Sequence, residues 1–95
     1  MTPLLSILIV NYNGAKFIAQ CLHSIAESNL NYAYEVIVVD NDSKDTSLDV
    51  LKTYQNQITL IESKENLGFS KGNNKAAEHA KGSHYLLLNL DLIMN

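Results

Sequence analysis

Val36-Ile37-Val38-Val39-Asp40 is the stretch that most restricts the fold. Its run of β-branched residues leaves no polar face, so a strand here must be covered on both sides. That requirement is met by a parallel sheet held between helices. The following residues, Asn41-Asp42-Ser43-Lys44-Asp45, turn polar at once. Asp40 therefore stands at the carboxyl end of a central strand, the edge at which open α/β sheets bind ligands. Asp42 and Ser43 carry a second reading, as caps of the helix that follows. Asp40 belongs to the strand end.

A second apolar run, Leu5 to Val10, is interrupted only by Ser6, and the turn formers Asn11-Tyr12-Asn13-Gly14 follow it. Phe17, Ile18, Cys21, Leu22 and Ile25 recur at spacings of three and four, which predicts a helix from Ala15 to about Ser28. His23 falls off that stripe. The spacing predicts a second helix over Thr46 to Tyr54, with Leu48, Leu51 and Tyr54 inward. Ile58 to Glu62 has the β-branched content of a third strand. Ser63 to Leu67 reads as a polar loop. Gly68 to Ala80 is predicted to be a third helix, amphipathic through Phe69, Ala76, Ala77 and Ala80, with Gly82 as its C′ residue. Tyr85 to Asn89 is the fourth strand.

The order βαβαβαβ predicts an α/β domain in three layers, α/β/α, with right-handed crossovers between parallel strands. With strand order 3-2-1-4 the winding reverses between strands one and four. A crevice then opens between Asn11 and Asp91, with Asp40 beside it. Residues 1–95 form a single domain, and its last residues read as the start of a further segment.

At 95 residues and 46% hydrophobic the chain suits one globular core. A net charge of -3 offers no basic face for nucleic acid. The one cysteine, Cys21, excludes an internal disulfide, suits a reducing compartment and reads as a small buried hydrophobe. No apolar run approaches the ~20 residues of a membrane span. Met1-Thr2-Pro3-Leu4-Leu5 lacks a charged leader, so no secretory signal is expected. The expected location is cytoplasmic, the inner face of a membrane included.

The predicted sheet edge carries Asn11 to Gly14, Asp40 to Asp42, Lys64 to Asn66 and Asn89 to Asp91, which puts two carboxylates and several amides around one cleft. Such a site suits a neutral or cationic ring nitrogen, or a metal bridging to phosphate. Asn11 to Lys16 holds a single glycine, so there is no dinucleotide fingerprint, and no phosphate-binding P-loop occurs. Tyr12 is expected to face the cleft. Tyr32, Tyr34, Tyr54 and Tyr85 are expected to be packing groups, and His79 and His84 surface residues. Blander readings make Asp91 a turn cap, Lys71 a solvated residue, and Asn73 and Asn74 exposed helix residues.

Four blocks carry a family resemblance: Ser6 to Gly14 (SILIVNYNG), Val36 to Asp45 (VIVVDNDSKD), Glu65 to Asn74 (ENLGFSKGNN) and Leu86 to Asp91 (LLLNLD). In this order they resemble family 2 glycosyltransferases, and look most like the rhamnosyltransferase-type branch. The resemblance implies a Rossmann-like GT-A fold and a nucleotide-diphosphate-sugar donor (a UDP-, dTDP- or GDP-sugar). It also implies a divalent ion, Mg²⁺ or Mn²⁺, and inversion at the anomeric carbon.

Carried onto this chain, the resemblance implies that Val10, Asn11 and Tyr12 line the nucleoside pocket. Asp40 accepts a hydrogen bond from the base, and Asp42 lies at the same edge. Asn66 to Asn74 run beside the nucleotide, with Asn73 where many relatives carry arginine. Asp91 matches the last acid of the family's DxD motif and would hold the metal. Asn89 stands where the first acid of that motif would be. The family's catalytic base and acceptor site lie beyond DxD, so the base is expected beyond Asn95. The chain is then the donor half of a transferase acting on a glycan, lipid or polysaccharide, unable to transfer sugar efficiently alone. The alternative is a non-catalytic nucleotide-binding or interaction module of the same fold. Uncovered sheet edge and apolar surface would favour a homo-oligomer.

Overall fold

The computed structural model describes residues 3–28, 31 and 33–88. Its elements are β1 (Leu5–Asn11), α1 (Ala15–Glu27), β2 (Tyr34–Asn41), α2 (Ser47–Thr53), β3 (Thr59–Ser63), α3 (Gly68–Ala77) and β4 (His84–Leu88). The strands form one parallel sheet in the order β3-β2-β1-β4, as the sequence predicts. Asn89 and Asp91 lie outside the described residues.

The pleat sorts the core into two clusters. Ile7 and Ile9 of β1 and Val36 and Val38 of β2 pack with Ile18, Cys21 and Leu22 of α1 and Leu51 of α2. Leu8, Ile37 and Val39 point the other way and pack with Ala76 of α3. This is why β2 is apolar at successive positions: both of its faces are covered. Cys21 lies inside the first cluster, and burial pushes its thiol up, away from the reactive thiolate. The chain moves from β1 to β3 with α1 and α2 on one face. It then returns across the sheet with α3 on the other, so the winding reverses between β1 and β4.

Four expectations about the α3–β4 region are corrected. The helix ends at Ala77 rather than Ala80. Phe69, expected on its inner face, is 46% exposed, because α3 meets the sheet through the small residues Gly72 and Ala76 and the amide Asn73. A Cβ at Gly72 would lie 2.9 Å from both γ-carbons of Val10, so glycine here permits close approach of helix and strand. Tyr85, expected to pack, is exposed, as are Leu86 and Leu87, because β4 is an edge strand that nothing described covers on either face.

Gly82 is not a left-handed helix cap. Its backbone crosses directly over β1, where an added Cβ would stand 2.6 Å from Ser6 Oγ and 2.8 Å from Ser6 N. The amide of Gly82 donates to Ser6 Oγ (2.8 Å), which donates to Glu35 Oε2 (2.6 Å). The amide of Lys81 donates to the same oxygen at 2.6 Å. This bracket ties the entry to β4 onto the amino ends of β1 and β2. Gly82→Ala is expected to destabilise the fold by about 1–3 kcal/mol through overpacking against backbone. A urea midpoint unchanged by the substitution would refute the close approach.

Candidate functional site

The register sets Asn11 of β1 directly beside Asp40 of β2. By the alternation of the pleat both point to the α1–α2 side of the sheet, beneath the two loops that lead into those helices. Both are buried, Asn11 fully and Asp40 to 2% exposure. A carboxylate at that depth must be hydrogen-bonded. Asp40 Oδ1 accepts from Asn11 Nδ2 (2.8 Å) and from Ser43 Oγ (2.6 Å), and Oδ2 accepts from the Ser43 amide (3.1 Å). A carboxylate offers about four acceptor positions, which leaves one on Oδ2. Asn11 Nδ2 also reaches Ser43 Oγ at 3.2 Å. Asn11 Oδ1 is buried with no partner among the described residues.

The two loops are stitched together beyond this point. The amide of Asn13 donates to Ser43 Oγ (2.9 Å), and Asn13 Oδ1 accepts from the Lys44 amide (2.7 Å). Asn13 holds this position with φ 53°, in the left-handed region that asparagine tolerates. Asp45 Oδ2 accepts from the Ala15 amide (3.1 Å) and Oδ1 from the Ser47 amide (2.8 Å). One carboxylate thus serves the amino termini of both α1 and α2, neither of which has a side-chain cap of its own. Burial pushes the Asp45 carboxyl up, but the hydrogen bonds it accepts, from the Ser47 and Ala15 amides among them, outweigh this. The carboxyl titrates below the ordinary range.

Asp42 and Ser43 do not cap α2, which begins at Ser47 after Thr46. Asp42 is half-buried at φ 60° and pairs with Lys44 Nζ at 3.0 Å. Asp45 takes the capping part instead. The Asp45-x-Ser47 spacing at the head of an apolar-periodic segment was the signal for it.

Val10 and Asn41 face the opposite side of the sheet from Asn11 and Asp40. Val10 abuts Gly72, and Asn41 Nδ2 donates to the Gly68 carbonyl (3.1 Å). Asn73, buried, donates from Nδ2 to the Phe69 carbonyl one turn back (3.1 Å). The Oδ1 atoms of Asn41 and Asn73 find no partner among the described residues. Asn66 is exposed and accepts the Gly68 amide on Oδ1 (2.9 Å), bracketing the start of α3. Tyr12 is exposed just beyond β1.

The structure therefore brings Asn11, Asp40 and the Asp42 loop together. It sets Val10 under α3, and Asn73 on the buried side of that helix, on the other face of the same edge. An apolar depression lined by Leu22, Ile25, Tyr34, Val36, Tyr54 and Ile58 lies at the opposite end of the strands.

No cluster of His, Cys, Asp or Glu among the described residues could hold a metal ion. Asp40 gives most of its acceptor positions to internal donors, Asp42 pairs with Lys44, and neither belongs to a ligating cluster among the described residues. The metal expectation rests on Asp91, outside the described residues.

The profile of Glycosyl transferase family 2 matches residues 6–95. The chain belongs to this family.

Among its relatives in family 2 is the poly(ribitol-phosphate) beta-glucosyltransferase of Bacillus spizizenii. It is 34% identical over 92 residues, which are 92% of this chain and 14% of that protein. The S. aureus TarS structure in complex with UDP-GlcNAc superposes with a TM-score of 0.77 at 31% identity, covering 92% of this chain and 26% of that one. The mannosyltransferase PcManGT from Pyrobaculum calidifontis, in complex with GDP-Man and Mn²⁺, gives a TM-score of 0.73 at 28% identity. That match covers 84% of this chain and 25% of the other. These likenesses establish the GT-A architecture. The chain spans about a third or less of the length of the first relatives it matches. No helix among the described residues is long and apolar enough to cross a membrane.

Because the folded-state value of Asp45 lies below its unfolded value of about 3.9, its stabilising contribution is complete above that pH. It is lost as pH falls through the folded value. Urea midpoints recorded from pH 5 to pH 2 are expected to fall more steeply for the native chain than for Asp45→Asn. Parallel curves would show that the Asp45 clamp contributes nothing.

Proposed function

We propose that this chain is the donor-binding part of a glycosyltransferase that moves a sugar from a nucleotide-diphosphate donor to a glycan, lipid or polysaccharide acceptor. The observation that carries this reading is the position of Asp40. It is a buried carboxylate with one free acceptor site, at the carboxyl end of β2 beside the reversal of winding, in a family 2 chain. Asp40 would accept the N–H of the base, with Asn11 and Tyr12 beside it and Asp42 at the rim. Val10, Asn66 and Asn73 would shape the flank under α3. The UDP-GlcNAc and GDP-Man complexes of the structural neighbours support a nucleotide-sugar donor.

The Mn²⁺ in one of those complexes supports a divalent ion, Mn²⁺ or Mg²⁺, for which Asp91 is the proposed protein ligand, with Asn89 next to the donor. When bound, such an ion would neutralise charge on the leaving diphosphate. Inverting transfer also needs a carboxylate to take the acceptor proton. Asp40, Asp42 and Asp45 are each engaged within the protein, so we place that base outside the described residues. A cytoplasmic location, the inner face of a membrane included, accords with this reading.

Calorimetric titration of the chain with UDP, dTDP and GDP, each with and without Mn²⁺, tests the proposal. One nucleotide is expected to bind, and more tightly with metal. Asp40→Asn is expected to weaken binding about tenfold or more, with or without Mn²⁺, by removing a charged acceptor. Asp91→Ala is expected to remove only the metal dependence. A folded chain that binds none of the three would defeat the donor-site reading.

The exposed apolar residues of β4 support a second reading for the isolated chain, as an interaction module that self-associates through this edge. Sedimentation velocity is expected to show a dimer or larger species, dispersed by Leu86→Lys with Leu87→Lys. A monomer at every concentration would remove this reading.

A further inference from the structure

Ser43 stands at the centre of the site, and every hydrogen-bonding position of its hydroxyl is used. It donates to Asp40 Oδ1 (2.6 Å) and accepts from the Asn13 amide (2.9 Å) and from Asn11 Nδ2 (3.2 Å). A hydroxyl has one donor and two acceptor positions, so none is left for a ligand. Its own amide adds the bond to Asp40 Oδ2 at 3.1 Å. Of the three bonds that satisfy the Asp40 carboxylate, two come from this one residue.

The same hydroxyl orients Asn11. The Nδ2 group faces both Asp40 Oδ1 and Ser43 Oγ, which lie 2.6 Å from one another, and this fixes which pole of the amide carries the oxygen. A flipped amide would set Oδ1 against a carboxylate oxygen. The consequence is a buried Asn11 Oδ1 left without a partner among the described residues.

We infer that Ser43 is a positioning residue of the donor site. It holds the free acceptor position of Asp40 and the Oδ1 of Asn11 in fixed directions, and it couples the β1–α1 loop to the β2–α2 loop. The inference rests on the nucleotide reading of this edge. It goes beyond that reading by assigning the orientation of both ligand-facing groups to a residue that does not itself face the ligand. A solvated loop serine or a helix cap would leave Asp40 and Asn11 unchanged on substitution. A positioning serine would not.

The test is nucleotide titration of Ser43→Ala, Ser43→Thr and Asp40→Asn, with the double variant Ser43→Ala/Asp40→Asn. Ser43→Ala is expected to weaken binding about tenfold and Ser43→Thr, which keeps the hydroxyl, to restore most of it. In the double variant the serine substitution is expected to cost less than it does alone, because part of its effect passes through Asp40. Native-like binding by Ser43→Ala, or fully additive losses, would overturn the assignment. Should Ser43→Ala fail to fold by circular dichroism, Ser43→Cys keeps the volume with a weak donor and takes its place in the same cycle.

A readout without ligand separates this inference from the nucleotide reading itself. The two side-chain N–H signals of Asn11 are expected to be resolved and slow to exchange in the native chain and in Ser43→Thr, and to lose protection in Ser43→Ala. If no nucleotide binds, that pattern still supports the positioning role. Retained protection in Ser43→Ala defeats it whatever binds.

Discussion

The need to satisfy one buried carboxylate organises the functional edge of this protein. Asp40 ends the most deeply covered strand of the sheet, where a bare charge could not persist. The donors that satisfy it come from two places far apart in sequence, Asn11 at the end of β1 and Ser43 in the loop after β2. Meeting that demand fixes the strand ends in register and draws the two loops into contact. The left-handed backbone at Asn13 and the shared clamp at Asp45 then follow as the local geometry that lets the loops reach one another. Hydrogen bonds to charged groups contribute about 1.5–3 kcal/mol each, which offsets backbone strain of the order of 1–2 kcal/mol at a left-handed residue.

The pleat divides the edge. Asn11 and Asp40 serve the α1–α2 face, whereas Val10 and Asn41 serve the α3 face, and the two sets meet only at the rim. The two faces are built differently. On the first, long aliphatic side chains fill the space and leave the polar work to the loops. On the second, glycine and alanine bring α3 close to the sheet, and amides with one free pole line the contact. A nucleotide bound as proposed would meet a hydrogen-bonded wall on one side and a closely packed helix on the other.

Much of this was legible in the sequence. Consecutive β-branched residues in β2 demanded cover on both faces, and the apolar stripe of α1 supplied one of the covers. Parallel pairing followed from connection rules, and the order 3-2-1-4 was assumed beside them. Asp40 was legible because a charge directly after an apolar run has few places to go. What escaped was whatever depends on partners distant in sequence. Nothing local separates the hydroxyl of Ser43 from that of an ordinary cap, and its role exists only because β1 lies beside β2. Gly82 looked like a helix terminus because glycine after a helix usually is one, but the cause here is the backbone of β1 running beneath it. Phe69 looked buried because hydrophobicity is read from type, while a helix of small residues leaves a large ring no room underneath.

Rigidity and exposure are distributed unevenly along the sheet, and the distribution has a functional sense. The β1–β2 edge is held by cross-loop bonds at one end and by the Ser6–Glu35–Gly82 bracket at the other. The proposed base-binding wall would gain from such stiffness, because a preorganised site loses less freedom on binding. The β4 side is open, with Tyr85, Leu86 and Leu87 facing outward although β4 is fully paired to β1. Apolar side chains on both faces of one strand need cover on both faces, by the same reasoning that placed β2 at the centre of the sheet. The pattern in β4 is that of a strand covered on both faces, whereas nothing among the described residues covers either one.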